Sequence, residues 1–294
     1  AGDIRGGEYP VACAHALNKG PEQTRTAPRI TDMTFTKLKL ETHDTIARIW
    51  LDQPDARNAF DDVVIAELTQ AFTEAGAAPQ VKAIVLGANG PAFCAGANLN
   101  WMRRMADYTR DENIADAGKL ATMLRTIAEC PKPTIARVQG DVYAGGMGLV
   151  AACDMAVSVD TAWYCLSEVK IGLVPATISP YVLRAMGTRA SQRYFLTAER
   201  FTAAEAHRIG FVHEVVAADA LDAKVDELLK ALTSASPAAV RACKQLIADV
   251  DGREIDDALI AKTVEGIADI RASDEGREGV QAFLQKRKPS WLGH

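Results

Sequence analysis

The chain has 294 residues, of which 48% are hydrophobic, 24% charged and 6% aromatic, and its 33 basic and 38 acidic side chains give a formal charge of −5. At roughly 100 to 200 residues per domain this length holds one large domain or two modest ones, and it buries a core without staples. The acidic balance excludes general attraction to nucleic acid or anionic membrane, because sequence-independent binding to a polyanion needs clustered Lys and Arg.

Residues 1–32 are rich in Gly, Pro, Thr and charge and keep neither helical nor strand periodicity. They read as a disordered extension ahead of the patterned chain. Phe35 to Leu40 alternates apolar and polar, and Thr45 to Leu51 follows beyond a turn at His43 and Asp44, which predicts two half-buried strands. Asp61 or Asp62 can cap a helix whose apolar face is Val64, Leu68, Phe72 and Ala75. The first unit is therefore strand, strand, helix.

The pattern then recurs. Ala83 to Leu86 reads as a buried strand, followed by a small-residue loop from Gly87 to Ala97 and helical sequence through Met105 and from Asp111 to Ala128. Pro133 to Val138 predicts a strand, Gly145 to Cys153 a short buried helix, Met155 to Val159 a strand and Val212 to Val216 a late one. Helices are expected near 218–232, 237–250, 254–272 and 275–287. This order predicts an α/β core over 33–217 and a helical C-terminal region over 218–294, with no linker between them.

The six cysteines form no CxxC pair and have no histidine at metal-ligand spacing, so no metal site is expected and a reduced, cytoplasmic chain is the simpler reading. The start of the chain lacks a basic region followed by an apolar one, and the longest weakly polar run, Val142 to Cys153, is too short to span a bilayer. Neither a secretory signal nor a membrane segment is expected.

Two glycine-rich elbows, Phe93-Cys-Ala-Gly-Ala-Asn98 and Gly140-Asp-Val-Tyr-Ala-Gly-Gly-Met-Gly148, each stand between a predicted strand and a predicted helix. Helix-start N–H groups lack intrahelical partners and carry the positive end of the dipole, so they suit an anion or a developing oxyanion. Taken singly, either elbow reads as a packing turn; two on successive units favour a function. Gly146-Met-Gly148 begins a dinucleotide-type pattern but lies too far from the strand ending at Val138, and no GxSxG or GKS/GKT motif occurs. Glu168 lies between two apolar runs, where burial would raise its pKa and suit it to proton transfer near neutral pH. Its alternative reading is a helix-start glutamate held by the dipole. His207 and His213 flank an apolar helix end and read as structural.

At this point the chain resembles the crotonase, or enoyl-CoA hydratase and isomerase, superfamily. The resemblance runs from about Phe35 to the C-terminus through Asp52-Gln-Pro-Asp-Ala-Arg-Asn-Ala59, Phe93 to Leu99, Val138-Gln-Gly with Ala-Gly-Gly, Ala152-Cys-Asp154, Ser167 to Pro175, Leu196 to Phe201, and Phe283 to Lys288. It implies a crotonase-like spiral of ββα units with a helical C-terminal trimerisation region, assembled as a homotrimer or a dimer of trimers. It implies an acyl-CoA substrate, with coenzyme A as part of that substrate and no separate cofactor. Ala95 and Gly145 would supply the oxyanion-hole N–H groups and Glu168 the proton. Ala56, Ala59, Ala97, Asn98 and Leu99 would line the CoA and acyl path, together with Tyr143, Gly146 and Pro175. Phe283 and Lys286 would lie near the nucleotide end of CoA.

Family hydratases carry two glutamates, whereas this chain has Gly148 where the first would stand. One glutamate suits hydration with a different second group, for which Asp141 and Tyr143 are candidates, or a proton shuttle between two carbons, as in the isomerases. The segments Ala95 to Ala106 and Ile171 to Val182 resemble bacterial methylglutaconyl-CoA hydratases of leucine breakdown and their relatives in acyclic terpene catabolism. A second substrate carboxylate would then need a cation, with Arg103, Arg104 and Arg184 as candidates. One relative binds RNA through a lysine-rich helix; the corresponding helix here has no Lys or Arg, so no nucleic acid partner is expected.

Overall fold

The computed structural model describes residues 34–293, so the reading of 1–32 as an extension lies outside the described residues. The alternating sequence at the start forms an antiparallel pair, β1 (Leu38–His43) and β2 (Ile46–Leu51), joined by a tight turn in which Asp44 has φ 51°. The first strand begins later than the expected Phe35. The N–H groups of Thr36 and Lys37 are taken by the Glu67 carboxylate at 2.8 and 2.9 Å instead of by a sheet partner. Asp61 caps α1 (Asp62–Ala77) by accepting from the N–H groups of Val63 and Val64, both at 3.1 Å. The helix buries Val64, Leu68, Phe72 and Ala75, the predicted face.

Later units repeat the theme with one strand in each of two sheets. After β3 (Ala83–Ala88) come β4 (Ala92–Cys94), α2 (Leu99–Ala106) and α3 (Arg110–Ala128). After β5 (Thr134–Val138) come β6 (Asp141–Tyr143) and α4 (Gly145–Ala152); after β7 (Met155–Val159) come β8 (Trp163–Cys165) and α5 (Ser179–Thr197). β9 (Phe201–Thr202), α6 (Ala203–Arg208) and β10 (Glu214–Val216) close the core. The large sheet runs β1-β2-β3-β5-β7-β10 and is parallel from β2 onward. The small sheet runs β4-β6-β8-β9, with its first three strands parallel. This is the predicted α/β spiral of ββα units.

The central strands are buried on both faces, as parallel strands covered by helices must be; all six residues of β3 are buried. The helical region follows as α7 (Leu221–Ser234), α8 (Pro237–Val250), α9 (Asp257–Ala272) and α10 (Asp274–Leu284). α9 begins at Asp257, three residues after the expected 254, because the Asp256 carboxylate caps it by accepting the Leu259 N–H at 2.8 Å. α5 and the small-sheet strands β4, β6, β8 and β9 have no counterpart in the sequence reading, which placed β4 inside a loop from Gly87 to Ala97.

Asp154 ties the helical region to the core. Its carboxylate accepts the Thr134 N–H at 2.7 Å, the Thr134 hydroxyl at 3.0 Å and the Lys244 ammonium of α8 at 2.7 Å. Asp154→Ala leaves the half-buried Lys244 ammonium with only the Lys132 carbonyl, at 3.2 Å, and no charge partner, and takes the acceptor from a strand-edge N–H; it is expected to cost about 2–3 kcal/mol in chemical denaturation.

Candidate active site

Both elbows and Glu168 leave from the carboxyl ends of neighbouring parallel strands. The first elbow turns at the end of β4, the second contains β6 and turns at its end, and Glu168 comes three residues after β8. Adjacent strands lie about 4.8 Å apart, so one edge of the small sheet gathers all three segments, with the second elbow in the middle. Ligand sites of α/β proteins form at such carboxyl edges.

The elbows pack directly on each other. A Cβ placed on Gly96 would lie 3.1 Å from Ala144 Cβ, and one on Gly146 would lie 2.8 Å from Cys94 Cβ. Only glycine permits this approach, and Gly96 also has φ 90°. Ala144 sits at φ 48°, ψ −122° with its N–H donated to the Cys165 carbonyl at 2.8 Å. This strained residue starts α4 and is fixed by the strand that leads to Glu168.

The N–H assignment made from the sequence changes at one residue. Ala95 donates its N–H to the Arg57 carbonyl at 3.0 Å, so it has no hydrogen to offer a ligand. Loop 53–60 runs alongside the elbow and takes two further bonds, Phe60 N–H to the Gly96 carbonyl and Asn98 N–H to the Phe60 carbonyl, both at 2.9 Å. The Ala97 N–H is passed over, and among the described residues it meets no acceptor; the same holds for Gly145 N–H at the first position of α4. The available pair is therefore Ala97 and Gly145. Phe60 buttresses both, since it bridges Ala97 in parallel and its ring would stand 2.2 Å from a Cβ on Gly145.

Glu168 opens a short 3-10 turn, Glu168–Ile171, behind Ser167. Its Oε2 is buried and has no hydrogen-bond partner among the described residues. Burial holds the carboxyl above its ordinary pKa, and the only opposing effect is its own backbone hydrogen bond. No charged neighbour contributes to that shift, so desolvation outweighs the helix-start alternative. The Cys94 thiol beneath the elbows is pushed up to about 12 by burial, which leaves it protonated and unreactive.

The other predicted residues divide. Ala59 and Ala97 are half-buried, Gly146 and Pro175 are buried, and Ala56 and Leu99 are exposed. Asn98 spends its side-chain oxygen on the cap of α2, accepting from Asn100 N–H at 2.9 Å and Trp101 N–H at 3.3 Å. Asp141 accepts the Trp163 N–H at 2.9 Å and faces Arg200 at 3.7 Å, and the Tyr143 ring lies under the same guanidinium at 5.8 Å. Both candidates for the second proton-transfer role are thus engaged along the outer edge. Phe283 and Lys286 stand exposed at the end of α10, whose main packing partners are α8 and α9.

Of the candidate cations, Arg103 donates to Asn100 at 2.7 Å and Arg104 pairs with Asp62 at 2.5 Å. Arg184 pairs with Asp251 in a cavity of about 350 Å³ shared with Asp154, His213 and Lys244, on the α8 side of the core. His213 is structural, as expected, accepting the Ala156 N–H at 3.1 Å. Among the described residues no cluster of His, Cys, Asp and Glu could hold a metal ion, and no helix is long and apolar enough to cross a membrane.

A family model described as enoyl-CoA hydratase/isomerase matches residues 41–294. The curated enoyl-CoA hydratase ACTT6 of Alternaria alternata is 33% identical over 237 residues, covering 80% of this chain and 77% of that protein. The crystal structure of an enoyl-CoA hydratase from Shewanella pealeana superposes with a TM-score of 0.87 at 42% identity, covering 90% of this chain and all of that one. Pseudomonas aeruginosa AtuE superposes with a TM-score of 0.83 at 33% identity over 87% of this chain and 99% of its own. The chain belongs to the enoyl-CoA hydratase/isomerase family and is one of its enzymes.

Proposed function

We propose that the enzyme adds water reversibly to a 2-enoyl-CoA thioester, with a branched, glutaconyl-type acyl group such as 3-methylglutaconyl-CoA. The observation that carries this reading is the convergence, on one edge of three parallel strands, of two free N–H groups and one buried carboxyl. The Ala97 and Gly145 N–H groups would receive the thioester oxygen. Addition at C3 turns that oxygen into an oxyanion, and fixed donors stabilise it more than they stabilise the ground state. Glu168, whose carboxyl burial holds above its ordinary pKa, would deliver its proton to C2. The glutaconyl preference rests on the likeness of segments 95–106 and 171–182 to methylglutaconyl-CoA hydratases.

The Gly148 position favours a second reading, a Δ3,Δ2-enoyl-CoA isomerase in which Glu168 alone carries a proton between C4 and C2. Absorbance of the conjugated thioester separates the two. Loss of conjugation from 3-methylglutaconyl-CoA supports hydration, and gain of conjugation from a 3-enoyl-CoA supports isomerisation. No change with either substrate would refute both. A non-catalytic RNA-binding role is the weaker alternative, since α1 carries no Lys or Arg.

Assembly as a trimer, or a dimer of trimers, belongs to the same proposal. Ile260, Val264 and Ile267 form an exposed stripe at helical spacing on α9, and Phe283 and Leu284 are exposed on α10. In such an assembly Lys286 could reach the nucleotide end of CoA on its own or a neighbouring subunit. Sedimentation of the full chain as a monomer would contradict this part of the proposal.

A further inference from the structure

Three residues after Gly145, Gly148 lies on the same face of α4. A Cβ at Gly148 would stand 2.4 Å from Ile178 Cγ2 and 2.8 Å from Ile178 Cβ, with Leu124 Cδ2 at 3.4 Å. Ile178 is 2% exposed and follows the Glu168 turn by one short loop. The volume below the second elbow is therefore filled by branched hydrocarbon as well as lacking a carboxylate.

Adding water across C2 and C3 calls for one group that takes a proton from water and another that gives one to C2. Glu168 feels no charged neighbour, and Asp141, the carboxylate on β6, is held by Trp163 N–H and Arg200. Among the described residues the site thus presents one proton-transfer group, Glu168, where hydration uses two. We propose that Ile178 is a specificity-determining residue, which makes the site depend on a carboxylate carried by the substrate itself: a 2-enoyl-CoA whose C3 bears a carboxymethyl arm. This rests on the hydratase reading above.

In the step, the water oxygen bonds to C3 while its proton passes to the arm's carboxylate. The C2–C3 π pair moves to C2–C1, and the thioester oxygen becomes the oxyanion held by Ala97 and Gly145. The enolate then takes the proton of Glu168 at C2. The arm's carboxylic acid returns its proton to the Glu168 carboxylate through solvent, so the sum is one added water with no change of oxidation state.

The test compares 3-methylglutaconyl-CoA with 3-methylcrotonyl-CoA, the same skeleton with the arm cut back to a methyl. The wild-type enzyme is expected to show a kcat about 100-fold lower or more for the second. Equal kcat values, or a difference confined to KM, would overturn the proposal, because the carboxylate would then be a handle and not a base. Turnover of neither substrate would overturn the hydratase reading itself, so the two failures are distinguishable. The double variant Gly148→Glu, Ile178→Gly restores a second carboxylate together with room for it. Its kcat for 3-methylcrotonyl-CoA is expected to rise about 10-fold or more; a folded double variant that binds this substrate without such a rise contradicts the role of Ile178.

Discussion

Glu168→Gln is expected to lower kcat by about 1,000-fold while leaving the affinity for CoA thioesters nearly unchanged. Glutamine keeps the shape and the buried position but has no proton to transfer. The pH profile adds direction. Delivering a proton to C2 requires the protonated carboxyl, whose pKa burial raises, so the hydration rate should fall as pH rises through that elevated pKa. Isomerisation would start from the carboxylate and fall in the opposite direction, as pH drops. Stability follows the same sign: a carboxyl whose folded pKa exceeds its unfolded value destabilises the fold increasingly as pH rises through that interval. Glu168→Gln should therefore gain thermal stability over the wild type, and gain more at pH 8 than at pH 4. Unchanged turnover in the variant would remove Glu168 from the chemistry.

Gly145→Ala carries the second large effect. The added Cβ would meet Phe60 Cζ at 2.2 Å and Cε1 at 2.6 Å, and Phe60 is 2% exposed with little room to retreat. Either the ring moves, and with it the Ala97 bridge, or the first turn of α4 moves with its N–H. Both outcomes displace an oxyanion donor, and loss of one donor costs about 100- to 1,000-fold in kcat. Truncating the ring should relieve the clash, so Phe60→Leu combined with Gly145→Ala should recover part of the lost rate. Strict additivity of the two single effects would show that the ring and the elbow are not coupled.

The large sheet and most helices were legible because their signals are local. β1 and β2 alternate, β3, β5 and β7 are short apolar runs, and α8 is bounded by Ser236 and Pro237, a cap followed by a first-turn proline. The small sheet was not legible, since its strands have two or three residues, too few to display a period. α5 hides for a different reason. It breaks at Gly187, with φ 75° and ψ 163°, and four of its 19 residues are buried.

The site shows the same division between local and distant information. The two elbows and Glu168 stand out from their neighbours in the sequence. Which N–H remains free does not, because it depends on loop 53–60 taking up Ala95 and skipping Ala97. Asn58 holds that loop through bonds to the Asn89 and Ala92 carbonyls, both at 2.8 Å, which are contacts more than 30 residues away in the chain. Likewise, glycine at 148 announces a missing carboxylate, but only the packing of Ile178 reveals that its room is filled as well.

The central claim is that Glu168 carries the proton to C2 while the Ala97 and Gly145 N–H groups hold the thioester oxygen. It is tested most directly by turnover of 3-methylglutaconyl-CoA in D2O, with the product analysed for deuterium at C2. The wild type should yield product that has gained one water and carries deuterium at C2, and Glu168→Gln should form this product about 1,000-fold more slowly. Deuterium entering C2 at the wild-type rate in Glu168→Gln would contradict the account.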